Sequence, residues 1–134
     1  MPEHIRFLSM SERFLNAAKA LSRPEHPFPV PHYLAGHALE LALKAHLLHR
    51  GADEKTLRKV SHDLEAALGE ADQAVRDALK PEQLAAIKWL NAFYSGKVLE
   101  YPEIGKAGRM ITIPEIRPLL AAAENLSDYL RSSW

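Results

Sequence analysis

His37, Glu40 and Lys44 stand three and four residues apart in a stretch whose other positions are almost all apolar. In an α-helix that spacing stacks them on one face. Polar groups on an apolar helix must find partners or reach water. Glu40 and Lys44 are spaced to pair with each other, and His62, at the start of a later helix, is a further partner. Three readings of this line stay open. It is a structural network that fixes how two helices dock, a cleft in which the same groups meet a phosphate or a base, or a face left open to solvent. The binding candidates are His37, Glu40, Lys44, Arg58, His62 and Asp63. His62 is the candidate for catalysis, because an imidazole exchanges protons near neutral pH.

Other chemistries find less to stand on. Seven histidines invite a metal, with His46 and His49 three apart and His32 and His37 five apart. Zinc needs three or four ligands in a defined set, and neither His-Glu-x-x-His nor a carboxylate–histidine cluster is present, so no metal site and no cofactor is expected. Histidines near a helix C-terminus are explained by the helix dipole. The chain has no cysteine, which excludes disulfides, thiolate metal sites and thiol nucleophiles. The Gly-x-Ser-x-Gly elbow is missing, and Gly105-Lys106-Ala107-Gly108 lacks the spacing and ending of a phosphate loop. A basic group of Arg50, Lys55, Arg58 and Lys59, beside His46, His49 and His62, is interrupted by Asp53 and Glu54. It reads as a solvated surface or as a phosphate-binding edge whose affinity falls steeply with salt.

The elements that must carry these residues are helices. Phe7, Met10, Phe14, Ala17 and Leu21 recur every three or four positions and predict a first helix over 5–21. Four prolines between Pro24 and Pro31 then impose an extended connector. A second helix, about Pro31 to Arg50, is apolar nearly all round, as befits the middle of a bundle. Gly51 ends it. Residues 53–59 read as a charged connector with one helical turn. Ser61 is the expected N-cap of a third helix, with Asp63 and Glu65 in its first turn and Leu64, Leu68, Ala71, Val75 and Ala78 as its stripe, which Gly69 interrupts. Pro81 opens a fourth helix bearing Leu84, Ile87, Leu90 and Tyr94, which stops near Gly96. Residues 97–113 show no helical period, and Met110–Ile113 is a candidate extended segment. Thr112 with Glu115 forms a capping-box pattern before a last helix striped by Ile116, Leu119, Leu120, Ala123, Leu126 and Leu130. Trp89 and Trp134 mark either a bundle edge or an exposed protein-binding groove.

A chain of 134 residues without repeats suits one domain over 1–134, able to bury about two-thirds of its unfolded surface. Seventeen basic residues balance seventeen acidic ones, which argues against a dedicated nucleic-acid binder while leaving room for a local patch. Neither a signal peptide nor a membrane span is legible, so a cytoplasmic protein is expected. The fold class is all-α: an antiparallel up-and-down four-helix bundle with an additional short helix or loop insertion.

With those residues in view, the chain resembles the HEPN (higher eukaryote and prokaryote nucleotide-binding) family. The run Tyr33-Leu34-Ala35-Gly36-His37-Ala38-Leu39-Glu40-Leu41-Ala42-Leu43-Lys44-Ala45-His46-Leu47-Leu48 is similar to the family's second helix, and Gly51 follows where the family turns. His62-Asp63-Leu64, then Leu68, resembles the start of its third helix. Leu90-Asn91-Ala92-Phe93-Tyr94, then Leu99-Glu100-Tyr101-Pro102, is similar to its late aromatic segment. The resemblance implies a bundle that commonly forms homodimers. Many members are ribonucleases of toxin–antitoxin and defence systems, and others are non-catalytic partners of small nucleotidyltransferases. The nuclease members carry an arginine followed, after four to six residues, by a histidine. No arginine here has that spacing: three residues separate Arg58 from His62, and no histidine follows His62. The expected function is therefore a non-catalytic module that acts by dimerisation and by binding a nucleotide, RNA or a nucleotidyltransferase-like partner. The alternatives are a metal-independent ribonuclease using a displaced site, with His62 as acid or base and Lys44 or Arg58 on the phosphate, and a regulatory bundle whose ligand is another protein.

Overall fold

The computed structural model describes residues 2–22, 28–94 and 115–134. Seven helices follow in order among them: α1 (Glu3–Leu21), α2 (Val30–His49), α3 (Glu54–Lys59), α4 (Leu64–Glu70), α5 (Gln73–Asp77), α6 (Pro81–Tyr94) and α7 (Ile116–Ser133). No strand occurs among the described residues. The first part of the proline connector (23–27), the region 97–113 with its candidate extended segment, the Thr112 cap and the Leu99–Pro102 resemblance lie outside the described residues, while α2 already begins at Val30.

Four long helices make the bundle, and their side-chain contacts fix their directions. The rings of His4 and His49 lie 4.9 Å apart and those of Phe14 and His37 4.4 Å apart, so α1 and α2 are antiparallel. Glu12 meets Arg131 and Lys19 meets Glu124, so α7 also opposes α1. Trp89, late in α6, packs on Phe28, just before α2, so α6 runs against α2. The alternation is that of an up-and-down bundle, with α3–α5 filling the connection between the second and third long helices.

Helix α2 is the axis. Ala35, Ala38, Leu39, Ala42, Leu43 and Ala45 are wholly buried, because the helix has apolar neighbours on nearly every side. Its alanines admit close approach: Ser11 Oγ on α1 donates to the carbonyl of Ala38 at 2.6 Å. The helix ends in a Schellman motif, with Gly51 N–H on Leu48 O and Ala52 N–H on Leu47 O. Gly51 takes φ +86°, which a Cβ-bearing residue adopts only under strain.

At three places the structure sharpens or corrects the sequence reading. On α1 the buried positions are Leu8, Ser11, Leu15 and Ala18, while Phe7 and Phe14 pack only partly against the core and Met10 is exposed. The helix carries two neighbouring stripes, and its rotation is set by the close contact through Ser11. The cap of α4 is Asp63, whose carboxylate accepts from Ala66 N–H at 3.0 Å; Ser61 belongs to the preceding turn. The interruption expected at Gly69 falls at Ala71 and divides the third helix in two, although Leu64, Leu68, Ala71 and Val75 are all buried. The break is stabilised by side chains: Arg76 Nη1 donates to the carbonyls of Leu68 and Ala71, both at 2.7 Å, and His46 receives Asp72 N–H.

Candidate functional site

The polar line is assembled between α2 and the turn that leads into α4. Glu40 is the anchor, with only 3% of its side chain exposed. Its Oε2 accepts from Lys44 Nζ at 2.7 Å, one helical turn on. Its Oε1 lies 3.1 Å from His62 Nδ1 and 3.8 Å from His37 Nδ1. Such burial requires partners at both oxygens, and the i, i+4 lysine plus a histidine from the next element supply them. The line is graded from core to solvent: Lys44 and His37 are half-buried, and His62 is 46% exposed.

Each imidazole is set differently. His37 is edge-on to Phe14, and burial holds its pKa below the ordinary histidine value, with Glu40 opposing the shift. His62 has φ 60°, the only positive value among the described non-glycine residues. It occupies the third position of a turn closed by Asp63 N–H on Val60 O, where glycine or asparagine is usual. A residue held in this region is over-determined by its surroundings. Here the turn faces its ring towards the buried carboxylate.

Arg58 does not join the cluster. Its Nη2 pairs with Glu54 at 2.6 Å on the exposed side of α3. Asp63 serves as the α4 cap. Of the other cations of the basic group, Arg50 meets Asp72 at 3.1 Å and Lys59 meets Glu70 at 3.4 Å, while Lys55 is exposed. Three of its four cations are thus paired with acids. The other described histidines are dispersed: His32 lies against Phe28, His46 against Asp72, and His4 and His49 against Trp134. Among the described residues no three His, Asp or Glu side chains are grouped to hold a metal. Trp89 and Trp134 are both partly buried against the core, at the bundle's edge. No described helix is long and apolar enough to cross a membrane.

Sequence reasoning missed the part played by Asn91. Buried on α6, it accepts Leu64 N–H at 2.7 Å and donates to Asp63 Oδ1 at 3.1 Å. The available signal was an amide one helical turn after Ile87, on a face that should be apolar.

The sequence model described as HEPN domain matches residues 5–132. The chain belongs to the HEPN family. The match spans every helix that builds the polar line. No curated protein and no solved structure matches the chain significantly. In this HEPN domain the line is carried by the helix-two segment and the His62-Asp63-Leu64 turn, the stretches on which the resemblance rests. The arginine–histidine spacing of the nuclease members is absent from its sequence.

Proposed function

We propose that this HEPN domain is a non-catalytic association module. It pairs with a second copy of itself and works beside a nucleotidyltransferase-like protein, in a toxin–antitoxin or defence setting, with the half-exposed edge of His37, Lys44 and His62 facing a phosphate-bearing ligand such as a nucleotide or RNA. The observation that carries this reading is the internal neutralisation of the polar line. Glu40 has Lys44 on one oxygen and His62 on the other, so its strongest groups serve each other before any substrate. The missing arginine–histidine spacing supports the same conclusion, and the partner is the one the family resemblance implies.

One observation favours a second reading, a metal-independent ribonuclease. A half-exposed imidazole whose Nδ1 faces a buried carboxylate is held in one orientation and tautomer, as a general base requires. In that reading His62 exchanges the proton and Lys44 stabilises the phosphate.

The deciding experiment is an RNA cleavage and binding assay on the purified chain, with EDTA and with His62→Ala, alongside mass determination across micromolar concentrations. The association module is expected to be dimeric, to leave RNA intact and to bind, if RNA is its ligand, with steep salt dependence. EDTA-resistant cleavage that disappears in His62→Ala would replace it with the nuclease. A strict monomer would remove the dimer.

A further inference from the structure

The left-handed backbone at His62 needs a cause, and the turn itself does not supply one. Residues 60–63 close on a single hydrogen bond, Asp63 N–H to Val60 O at 3.0 Å. A histidine at φ 60° is disfavoured by its Cβ, so something outside the turn must hold it. Among the described contacts, residues of two different helices reach this corner. Glu40 on α2 touches the ring, and Asn91 on α6 touches the backbone that follows.

We infer that Asn91 is a positioning residue, which clamps the first turn of α4 and thereby sets His62 against Glu40. Its side-chain oxygen accepts Leu64 N–H at 2.7 Å, one of the donors that a helix start leaves without an intrahelical acceptor. Its amide nitrogen donates to Asp63 Oδ1 at 3.1 Å and approaches Glu65 Oε2 at 3.4 Å. Asp63 Oδ1 also caps Ala66 N–H, so one amide fixes both the cap and the residue after it. The residues flanking this corner cannot rotate without breaking those bonds, and Asn91 is itself buried, with 6% exposed. Asparagine suits the position because one planar group must offer an acceptor and a donor side by side. Leucine offers neither, and aspartate would set a third carboxylate beside Asp63 and Glu65.

This inference rests on the reading of His62 and Glu40 as the polar site, and its test uses the unliganded full chain. A failed ligand or RNA experiment is therefore distinguishable from a failed clamp. The measurements are amide-exchange protection at Leu64 and the rate of His62 carbethoxylation by diethyl pyrocarbonate, for the wild type, Asn91→Leu and Gln83→Leu. Gln83 is another buried amide of α6, bonded to Lys80 N–H and Asn125, so its loss weakens the fold without touching the corner. Asn91→Leu is expected to lower Leu64 protection about tenfold and to speed modification of His62, while Gln83→Leu leaves both local readouts at wild-type values relative to its own global stability. Equal effects in the two variants, or none in Asn91→Leu, overturn the clamp.

Where Asn91→Leu fails to fold, an exchange of the pair carries the test. Asn91→Asp alone is expected to release His62 by repulsion. Adding Asp63→Asn restores an amide facing a carboxylate, with donor and acceptor exchanged, and is expected to recover most of the Leu64 protection. No recovery in the double variant sinks the inference.

Discussion

The Nε2 atom of His46 accepts the backbone N–H of Asp72 at 3.2 Å, tying α2 to the break between α4 and α5. Only an unprotonated nitrogen can do this, so the bond requires neutral imidazole with its proton on Nδ1. Burial pushes the His46 pKa below the ordinary histidine value, with the Asp72 carboxylate opposing the shift and Arg50 and His49 adding to it. A depressed histidine pKa gives a contribution fully present above the ordinary value of about 6.5 and lost as pH falls through the folded-state value. His37 is shifted the same way, chiefly by burial. Stability to urea is therefore expected to be level above about pH 7 and to fall on acidification below about pH 6.5, through the depressed values. His46→Gln keeps an acceptor that does not titrate, so it should flatten part of that slope, on the order of 1 kcal/mol. An unchanged slope in the variant would assign the acid sensitivity elsewhere.

Removing Glu40 is expected to do more than removing an ordinary surface acid. Lys44 is 17% exposed at its side chain and would be left as a cation without its carboxylate. Breaking one side of a buried ion pair costs about 3 kcal/mol or more. Glu40→Leu should thus lose about that much in denaturant unfolding. The double variant Glu40→Leu, Lys44→Met should recover most of it, because a buried pair and an apolar substitute of similar size are often equally stable. A double variant as unstable as the single would mean that His62, not Lys44, is the group harmed by losing the carboxylate.

The polar line was legible because helical spacing is geometry: His37, Glu40 and Lys44 share a face wherever that stretch is helical. The pairing with His62 followed from placing a second polar residue at the head of the next helix. The left-handed turn was not legible, since Ser61-His62-Asp63 contains neither glycine nor asparagine to announce it. Its causes, Glu40 and Asn91, lie 22 and 28 residues from His62 and Asp63 respectively. The break at Ala71 was partly legible, since Gly69 marks an interruption two residues before it. Its stripe of Leu64, Leu68, Ala71 and Val75 keeps helical spacing across it, while its stabilisers, His46 and Arg76, come from outside the broken turn. On α1, two adjacent apolar stripes were both consistent with a helix, and Ser11 decided between them by hydrogen bonding to α2. Long-range polar contacts fixed what local period left open.

The two helices farthest apart in the chain are joined by a carboxylate–guanidinium pair. Arg131 reaches Glu12 with Nη2 at 2.6 Å and Nε at 3.1 Å, and Ser127 Oγ adds a bond at 2.7 Å. Hydrogen bonding from Arg131 holds the Glu12 carboxyl below its usual range, against a smaller effect of burial. The contribution is therefore present above the ordinary carboxylate pKa and lost as pH falls through the depressed one. Both side chains are more than a third exposed, 43% and 34% within rounding, so solvent screening limits the pair to under about 1 kcal/mol. Arg131→Met should lose roughly 0.5–1 kcal/mol at neutral pH in low salt and less in high salt. The difference from the wild type should close as pH falls through the depressed Glu12 pKa, where the carboxylate becomes protonated. A gap that persists there would show that the arginine's methylenes, and not its charge, hold α7 to α1.

Two glycines give opposite predictions for the same substitution. Gly51 has φ +86°, and a Cβ built on it meets nothing within 4 Å. Alanine there suffers no clash, so its whole effect is the backbone conformation, a loss of about 1–2 kcal/mol. Gly69 lies inside α4, outside the left-handed region, and its Cβ also meets nothing within 4 Å. Alanine at that position removes unfolded-chain freedom and adds helix propensity, a gain of about 0.5–1 kcal/mol. The two variants should therefore move Tm in opposite directions, measured under the same buffer by calorimetry. A fall for Gly69→Ala would mean that the α4–α5 break depends on a weak last turn in α4, and that lengthening α4 strains the bond from Asp72 N–H to His46.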